Sequence, residues 1–128
     1  MQLEPETSQG DLTTRTLAMP AAANPAGDIF GGWVLSQMDI ASGICAGQRA
    51  QGRVVTIAVS AMTFLRPVYV WDVLCVYCSI AREGRTSIGV YIEAWALRNR
   101  IGKREKVTDG TFTFVAIDAN GRPKLLPA

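Results

Sequence analysis

The sequence predicts an α+β fold in which an antiparallel β-sheet wraps around one long central α-helix. Helical periodicity of apolar residues occurs in a single long stretch, residues 24–51, and the chain after it has the composition of β-strands. Short connections between consecutive strands favour antiparallel pairing. The helix carries too much apolar surface to lie on a sheet edge, so the sheet is expected to curl around it.

The central helix is predicted within NPAGDIFGGWVLSQMDIASGICAGQRAQ, residues 24–51. Asp28 is the start signal, because a carboxylate can cap free N–H groups and suits the positive end of a helix. Pro25 fits a turn before the helix, and Gly52 fits its end. The apolar residues recur at spacings of three and four, as in a helix of about 20 residues: Phe30, Trp33, Val34, Met38, Ala41, Ile44 and Cys45.

The strands follow from β-branched and alternating residues. One short strand, residues 11–19, precedes the helix, and a loop at residues 20–27 leads into it. Four strands follow the helix, at residues 53–64, 73–81, 86–97 and 107–118, separated by turns at residues 82–85 and a charged loop at residues 99–106. Alternation along residues 86–97 predicts two faces, one with Ile88, Val90, Ile92 and Ala94 and the other with Tyr91, Glu93, Trp95 and Leu97.

The length of 128 residues is most simply one domain. Residues 1–10 are predicted to be a flexible N-terminal tail, residues 11–122 the folded domain, and residues 123–128 a C-terminal tail. Apolar residues make up 48% of the chain and charged residues only 19%. This apolar load predicts that part of the surface is buried between subunits.

Charge and targeting signals narrow the possible partners. The net charge of +2 and the lack of a Lys/Arg run argue against nucleic acid or an acidic membrane surface as partner. The N-terminus has no secretory pattern, and no run of 18 apolar residues occurs, so a soluble cytoplasmic protein without a membrane span is predicted. Cys75 and Cys78 have CxxC spacing, but in a strand they point to opposite faces, so buried free thiols are expected rather than a metal or redox pair.

The chain contains no histidine. This excludes Ser-His-Asp and Cys-His nucleophilic machinery, HExxH zinc sites and any histidine general base. No metal site is predicted. If the chain is an enzyme, a carboxylate, backbone dipoles and bound water must do the chemistry.

Asp28 and the two glycines after it are the strongest candidates for chemistry, and each has two interpretations. Asp28 is either a catalytic carboxylate or only a helix cap, worth about 1 kcal/mol. Gly31 and Gly32 disfavour a helix by about 1 kcal/mol each. They indicate either close approach of a ligand or backbone to free N–H groups, or tight packing of the first turn under a strand. Physical reasoning alone leaves both pairs of interpretations open.

The motif N-x-x-G-D-x-F-G-G-W, residues 24–33, resembles that of the YciA-type acyl-CoA thioesterases, which have the hotdog fold. The longer stretch TLAMPAAANPAGDIFGGWVLSQMD is similar to that family, as are GRVVTIAV, MTFLRPVYVWDVL, the turn GRTSI and VTDGTFTFVAIDANGR. The resemblance runs from about Arg15 to Arg122.

The resemblance implies a broad-specificity enzyme that hydrolyses acyl-CoA thioesters without a cofactor. It further implies a dimer with one continuous sheet, a homohexamer built as a trimer of dimers, and active sites at subunit interfaces. Asp28 falls on the family's essential acidic residue and Asn24 on its motif asparagine. Gly31 and Gly32 fall at the helix start that faces the thioester. The nucleotide of CoA is expected at the turn formed by Gly84, Arg85, Thr86 and Ser87.

One position departs from the family. Ser60 stands where these enzymes usually carry an acidic residue that faces the partner subunit's helix start, and a serine cannot act as a base there. Thr56 and Ser60 are hydroxyls on a mostly apolar strand, so they either bond to the backbone or line the pocket. Asn24 is either a turn residue before Pro25 or a group that binds the thioester or orients water.

For a thioester substrate, the N–H groups of Gly31 and Gly32 would polarise the carbonyl. Asp28 would act as general base or as nucleophile, and the sequence does not separate these routes. Arg85 is the first candidate to bind the CoA phosphates, followed by Arg66, Arg82 and Arg122. The acyl slot is expected along the helix, lined by Phe30, Trp33, Val34 and Met62.

Other functions remain as alternatives. A non-catalytic acyl-CoA binding or sensing module would keep the fold and the CoA site, and Ser60 favours it. A hydratase of the same fold would need a histidine, which the chain lacks. A purely structural oligomerisation domain would bind no CoA ester at all.

Overall fold

A computed structural model describes residues 7–128, so the first six residues of the predicted N-terminal tail lie outside the described residues. The chain forms strand β1 (Asp11–Leu17), helix α1 (Gly31–Ala50) and strands β2 (Val54–Val59), β3 (Val73–Glu83), β4 (Ser87–Leu97) and β5 (Arg104–Ala116). Short 3₁₀ turns occur at Pro20–Ala22 and Arg98–Arg100. This order of elements confirms the predicted α+β class.

The five strands form one antiparallel sheet in the order β1-β3-β4-β5-β2. Helix α1 packs against the inner face of this sheet, as predicted, and the shared core joins residues of the helix to residues of β3, β4 and β5. The sheet ends in β2, which among residues 7–128 pairs only with β5, so its other edge has no strand partner in this part of the chain. None of the helices in residues 7–128 is both long and apolar enough to cross a membrane.

Strand β4 shows why the alternation in the sequence was informative. Ile88, Val90, Ile92 and Ala94 are fully buried and belong to the core beneath α1. On the opposite face, the carboxylate of Glu93 accepts hydrogen bonds from Trp95 Nε1 at 2.9 Å and from Tyr91 Oη at 2.8 Å. Both predicted faces are therefore confirmed.

The same pairing places the two cysteines of β3. Cys78 lies opposite Ile92 and belongs to the core, whereas Cys75 lies opposite Trp95 on the other face. Both are buried free thiols, which confirms the prediction that they point to opposite faces.

The helix is confirmed, but its start and its buried side differ from the prediction. Asp28 does not cap it: the N-cap residue is Phe30, and its side chain makes no capping hydrogen bond. The cause is long-range pairing, because Ile29 N donates to Val68 O at 2.8 Å and Asp28 bridges Tyr69, which keeps the chain extended up to Phe30. Phe30 and Ile44 are exposed rather than part of the core.

Two strand boundaries differ from the prediction by three residues or more. β2 ends at Val59 instead of residue 64, after a bulge between Thr56 and Ala58, although the chain stays beside β5 through Leu65 N, which donates to Val107 O at 2.7 Å. β5 begins at Arg104 instead of residue 107. Its charged first residues pair with the end of β4, and this cross-strand pairing outweighs their polar composition.

Candidate active site

The loop that leads into α1 is organised by Asn24. Its Oδ1 accepts the N–H of Ala26 at 3.0 Å and of Asp28 at 3.1 Å, and its own N–H donates to Asp28 O at 2.7 Å. Asn24 therefore acts as a turn residue, which was one of its two predicted roles. Its side-chain nitrogen donates to no acceptor within residues 7–128, so this donor remains available to a ligand.

Asp28 is fixed by its backbone and not by its carboxylate. Both backbone polar groups of Asp28 bond to Asn24, and the residue bridges Tyr69. In the part of the chain that the structure describes, its carboxylate forms no hydrogen bond and no ion pair. The interpretation of Asp28 as only a helix cap is wrong, because Phe30 occupies that position. What remains is a half-buried carboxylate, without a partner among residues 7–128, on a loop that is cross-linked by backbone hydrogen bonds.

The first turn of α1 leaves two N–H groups open. Trp33 N and Val34 N both donate to Phe30 O, at 3.1 and 3.4 Å, whereas the N–H groups of Gly31 and Gly32 have no acceptor among the described residues. A Cβ at Gly32 would meet nothing within 4 Å, and one at Gly31 would meet only the Phe64 ring at 3.7 Å. Packing within the protomer therefore does not require glycine at either position.

A cavity of about 340 Å³ brings these features together. Asn24 and Asp28 line it, as does Gly31 from the first turn of the helix. A helix N-terminus carries roughly half a positive charge, so a carbonyl oxygen would be stabilised there. The remaining lining is mostly apolar and comprises Ile29, Val34, Phe64, Leu65, Arg66, Pro67, Val68 and Val107.

The apolar lining of this cavity differs from the residues predicted for the acyl slot. Of the four residues proposed for it, only Val34 lines the cavity, whereas Phe30 is exposed and Trp33 and Met62 pack against the core. Residues 64–68 supply five lining residues between β2 and β3, and only Arg66 among them was a predicted site residue. Their signal was Pro67, which ends strand pairing and turns the chain towards the helix start.

Arg66 lines the cavity but its charge is already engaged. Its Nη1 donates to Lys106 O at 2.8 Å, and its Nε lies 3.1 Å from Glu105 Oε2. The guanidinium is thereby held against β5, so Arg66 has less freedom to bind a phosphate than an unpaired arginine has.

Thr56 and Ser60 lie on or just after β2 and do not line the cavity of their own protomer. Thr56 Oγ1 donates to Asp39 Oδ1 at 2.7 Å, a hydrogen bond between β2 and α1 of the same protomer. Ser60 Oγ accepts the N–H of Thr111 at 2.9 Å, and Ser60 N donates to Thr111 O at the same distance. The serine hydroxyl thus replaces a backbone acceptor where β2 ends.

The turn of Gly84, Arg85, Thr86 and Ser87 lies at the other end of the molecule. It closes with Gly84 N donating to Ser87 O at 2.8 Å, and a Cβ at Gly84 would clash with the Ser87 hydroxyl. Arg49, in the last turn of α1, bonds to Glu83 beside this turn, whereas Gly31 begins the helix. At 1.5 Å per residue, Gly31 and Arg49 are about 27 Å apart.

Cations gather at this far end. Within residues 7–128 none of these five forms an ion pair: Arg53, Arg82, Arg85, Arg122 and Lys124. The nearby carboxylate of Asp118 is occupied by the N–H groups of Asn120 and Arg122. One protomer therefore separates the unpaired carboxylate from the cationic end, and the predicted site residues form two groups.

No cluster of three or more Cys, Asp or Glu residues that could hold a metal ion occurs among residues 7–128.

Comparison with known proteins shows the family to which the chain belongs. Residues 26–103 match the family model described as Thioesterase superfamily. The acyl-CoA thioester hydrolase YciA of Escherichia coli is 52% identical over 122 residues, which cover 93% of this chain and 92% of that protein. The structure of the hexameric thioesterase y2039 from Yersinia pestis has a TM-score of 0.92 at 50% identity and covers 95% of this chain and 99% of its own.

A second solved structure is a hexameric broad-specificity acyl-coenzyme A thioesterase, with a TM-score of 0.91 at 48% identity over 96% of this chain and 85% of its own. The similar sequences, the similar structures and the family model all indicate the same family as the motif at residues 24–33. The chain therefore belongs to the thioesterase superfamily, as a hotdog-fold protein of the YciA type.

Proposed function

We propose that this chain hydrolyses acyl-CoA thioesters to a free carboxylic acid and CoA. The observation that carries the proposal is the cavity that Asp28 shares with the first turn of α1, with a carboxylate that has no partner in residues 7–128. The curated relatives named acyl-CoA thioester hydrolases support it.

The helix start supplies the electrophilic half of the site. The thioester carbonyl oxygen accepts the N–H groups of Gly31 and Gly32, whose donors are open and preorganised by the helix. Negative charge that develops on this oxygen is stabilised by the positive end of the helix. Losing one such donor typically costs on the order of 10² to 10³ in rate.

Asp28 supplies the other half by one of two routes. As a general base it takes a proton from water while the water oxygen bonds to the carbonyl carbon, and the C–S bond then breaks. As a nucleophile its carboxylate displaces the thiolate to form a mixed anhydride, which water opens to the acid. The thiolate, with a free pKa of about 8.5, leaves without a strong general acid. Neither route uses a cofactor.

Asn24, Thr56 and Ser60 support the site in this proposal. Asn24 points its free amide donor at the bound thioester or the attacking water, while its Oδ1 holds the loop. Thr56 and Ser60 line the pocket of the partner protomer at the interface. Because Ser60 carries no charge, Asp28 would be the only carboxylate of the pair that the family usually has at this interface.

The two groups of site residues are joined by assembly. We place the CoA nucleotide on the turn Gly84–Arg85–Thr86–Ser87 and on the cations around it, with Arg85 exposed for the phosphates. Since this turn and Asp28 lie at opposite ends of α1, a complete site combines one protomer's cavity with a partner's surface. The hexameric structures of two relatives support such an assembly.

The free edge of β2 is the proposed dimer contact. Ile57 is 57% exposed and Val59 48%, on an edge strand that would otherwise template aggregation. Pairing of two β2 edges makes one continuous sheet, and three such dimers make the hexamer. Ile57→Lys should therefore reduce the assembly from about six times the 13.8 kDa chain mass, measured by analytical ultracentrifugation. Ile101→Lys, at an exposed loop residue, is the control, and an unchanged mass in both variants would contradict the contact.

We place the enzyme in the cytoplasm, where the three free cysteines stay reduced. The test of function is release of free thiol from acetyl-, hexanoyl- and palmitoyl-CoA. Turnover supports the proposal, and the three rates report how the apolar lining accommodates the acyl chain. Tight binding of CoA esters without turnover would instead establish the binding or sensing module.

A further inference from the structure

The turn proposed to bind the CoA nucleotide has little internal support. Gly84 and Arg85 are exposed, and the turn itself closes through the bond from Gly84 N to Ser87 O. On the β4 side, Thr86 O accepts the N–H of Ala116 at 2.9 Å, whereas the side of Gly84 and Arg85 has no such bond to β5 among the described residues. Exposed turns at hairpin tips are ordinarily among the most mobile parts of a fold. A binding surface at such a tip needs an external brace.

Arg49 provides one brace from the end of α1. Its Nε donates to Glu83 Oε2 at 2.8 Å and its Nη2 to Glu83 Oε1 at 2.7 Å, a bidentate pair with the residue next to Gly84. This hydrogen-bonded pair raises the pKa of Arg49 and lowers the pKa of Glu83. The third nitrogen, Nη1, donates to Pro127 O at 2.9 Å. One guanidinium therefore joins the helix, β3 and the chain after β5.

The C-terminal segment, residues 123–127, provides the second brace. Lys124 N donates to Ala116 O at 2.8 Å, and Leu126 N donates to Arg85 O at 2.9 Å, inside the turn itself. The Leu126 side chain packs against the core, which fixes the segment in place. The turn is thus held at Glu83 by Arg49 and at Arg85 by the C-terminal segment, which Arg49 also binds.

Arg49 differs from the other cations of this end in how its charge is used. Its donors face Glu83 and a carbonyl oxygen, so little of its charge remains for a phosphate. Arg85 and the other four cations of this end, by contrast, form no ion pair within residues 7–128. Exposed ion pairs contribute little to stability. The planar guanidinium of Arg49 presents two parallel donors, which lysine cannot reproduce, and this geometry suits a role in fixing the shape of the turn.

We propose that Arg49 and Glu83, together with the C-terminal segment, are positioning elements that hold the β3–β4 turn in the shape that binds the nucleotide end of acyl-CoA. This inference rests on the proposed function. Arg49 and Glu83 do not touch the thioester, so they affect substrates that carry the nucleotide and spare those that lack it.

Glu83→Gln gives the sharpest test, because positioning and simple electrostatics predict opposite signs. Removing a negative charge beside a site for phosphates would lower KM for an anionic substrate if charge alone mattered. Loss of the brace would instead raise KM, because the turn would no longer be held in its binding shape. We expect KM for hexanoyl-CoA to rise about tenfold, with kcat nearly unchanged, since remote binding contacts set the position of the substrate.

The matched substrate is S-hexanoyl-pantetheine, which presents the same thioester without the nucleotide. Its kcat/KM should stay within about twofold of wild type in Glu83→Gln, Arg49→Gln and Arg49→Lys. Arg49→Lys keeps the charge but loses the fork, so its KM for hexanoyl-CoA should rise as well. Arg15→Gln, at an exposed arginine of β1, is the charge control and should match wild type with both substrates.

Three results would overturn the inference: a lower KM in Glu83→Gln, equal losses with both substrates, or wild-type kinetics in all brace variants. Melting temperature and oligomer mass are measured for each variant, and Arg49→Lys serves if Arg49→Gln does not fold. If wild type hydrolyses neither substrate, the proposed function fails. Calorimetric titration of CoA into wild type and Glu83→Gln then decides the positioning role, since weaker binding in the variant supports it and equal binding refutes it.

Discussion

Replacing Gly32 by alanine should make the protein more stable and less active. A Cβ at Gly32 meets nothing within 4 Å, so the substitution introduces no clash in the protomer. Alanine favours a helix over glycine by about 1 kcal/mol, and by somewhat less near a helix end. For a domain of this length, that gain corresponds to a rise in Tm of roughly 3 to 5 °C.

The activity of Gly32→Ala, in contrast to its stability, should fall. If the thioester carbonyl binds at the open N–H groups of Gly31 and Gly32, a methyl group at residue 32 occupies space next to the reacting carbon. Displacing the carbonyl from one donor costs on the order of 10² in kcat/KM. The assay is thiol release from hexanoyl-CoA, together with a thermal melt of the same preparation.

Gly47→Ala is the matched control, because Gly47 lies in the same helix at its other end and a Cβ there makes only an ordinary contact, 3.6 Å from Gly52 O. It should gain similar stability and keep wild-type activity. A Gly32→Ala enzyme that is both stabilised and fully active would refute the placement of the thioester at the helix start.

Two further predictions concern titration. Arg49 lowers the pKa of Glu83, so the stability this carboxylate contributes is complete above its ordinary pKa of about 4.3 and is lost as the pH falls through the lower folded-state value. The difference in Tm between wild type and Glu83→Gln should therefore be constant near pH 7 and disappear as the pH falls below the lowered folded-state pKa of Glu83; a difference that persists in strong acid would contradict the ion pair. Burial raises the pKa of the Cys78 thiol to about 11, so iodoacetamide at pH 8 should modify it about 10²-fold more slowly in the native protein than in the unfolded chain. Peptide mapping that finds equal rates would show that Cys78 is not buried.

The sequence was most informative where side-chain periodicity alone decides burial. The alternation of Ile88, Val90 and Ile92 fixed the inner face of β4 because each of these residues packs under the helix. The helix itself was predictable from the spacing of Val34 and Met38. Its exposed apolar residues were not, since periodicity measures hydrophobicity and cannot tell a core from a subunit interface.

Long-range backbone pairing set the features that the sequence could not specify. The bond from Ile29 N to Val68 O delays the helix until Gly31 and leaves Asp28 free of a capping role. No local pattern reveals that bond. The brace at Arg49 depends likewise on residues far apart in the chain, Glu83 and Pro127.

The buried carboxylate of Asp72 illustrates the same limit, since its partners could not be predicted from the sequence. Asp72 is 3% exposed and accepts hydrogen bonds from Tyr69 N, Arg98 Nη1 and Asn99 N, which fixes the connection opposite Asp28. In the sequence it is an ordinary turn aspartate. The motif around Asp28 was recognisable only as a resemblance, and the structure gives it a physical basis in a carboxylate without partners among the described residues.

The most direct test of the account is the rate of hexanoyl-CoA hydrolysis by Asp28→Asn beside wild type. The substitution removes the charge and keeps the shape, and the backbone bonds that hold residue 28 do not involve its side chain. We predict that kcat falls by at least about 10² while CoA binding, measured by calorimetric titration, and oligomer mass stay at wild-type values. A variant that turns over at the wild-type rate would contradict the claim that Asp28 activates water or attacks the thioester.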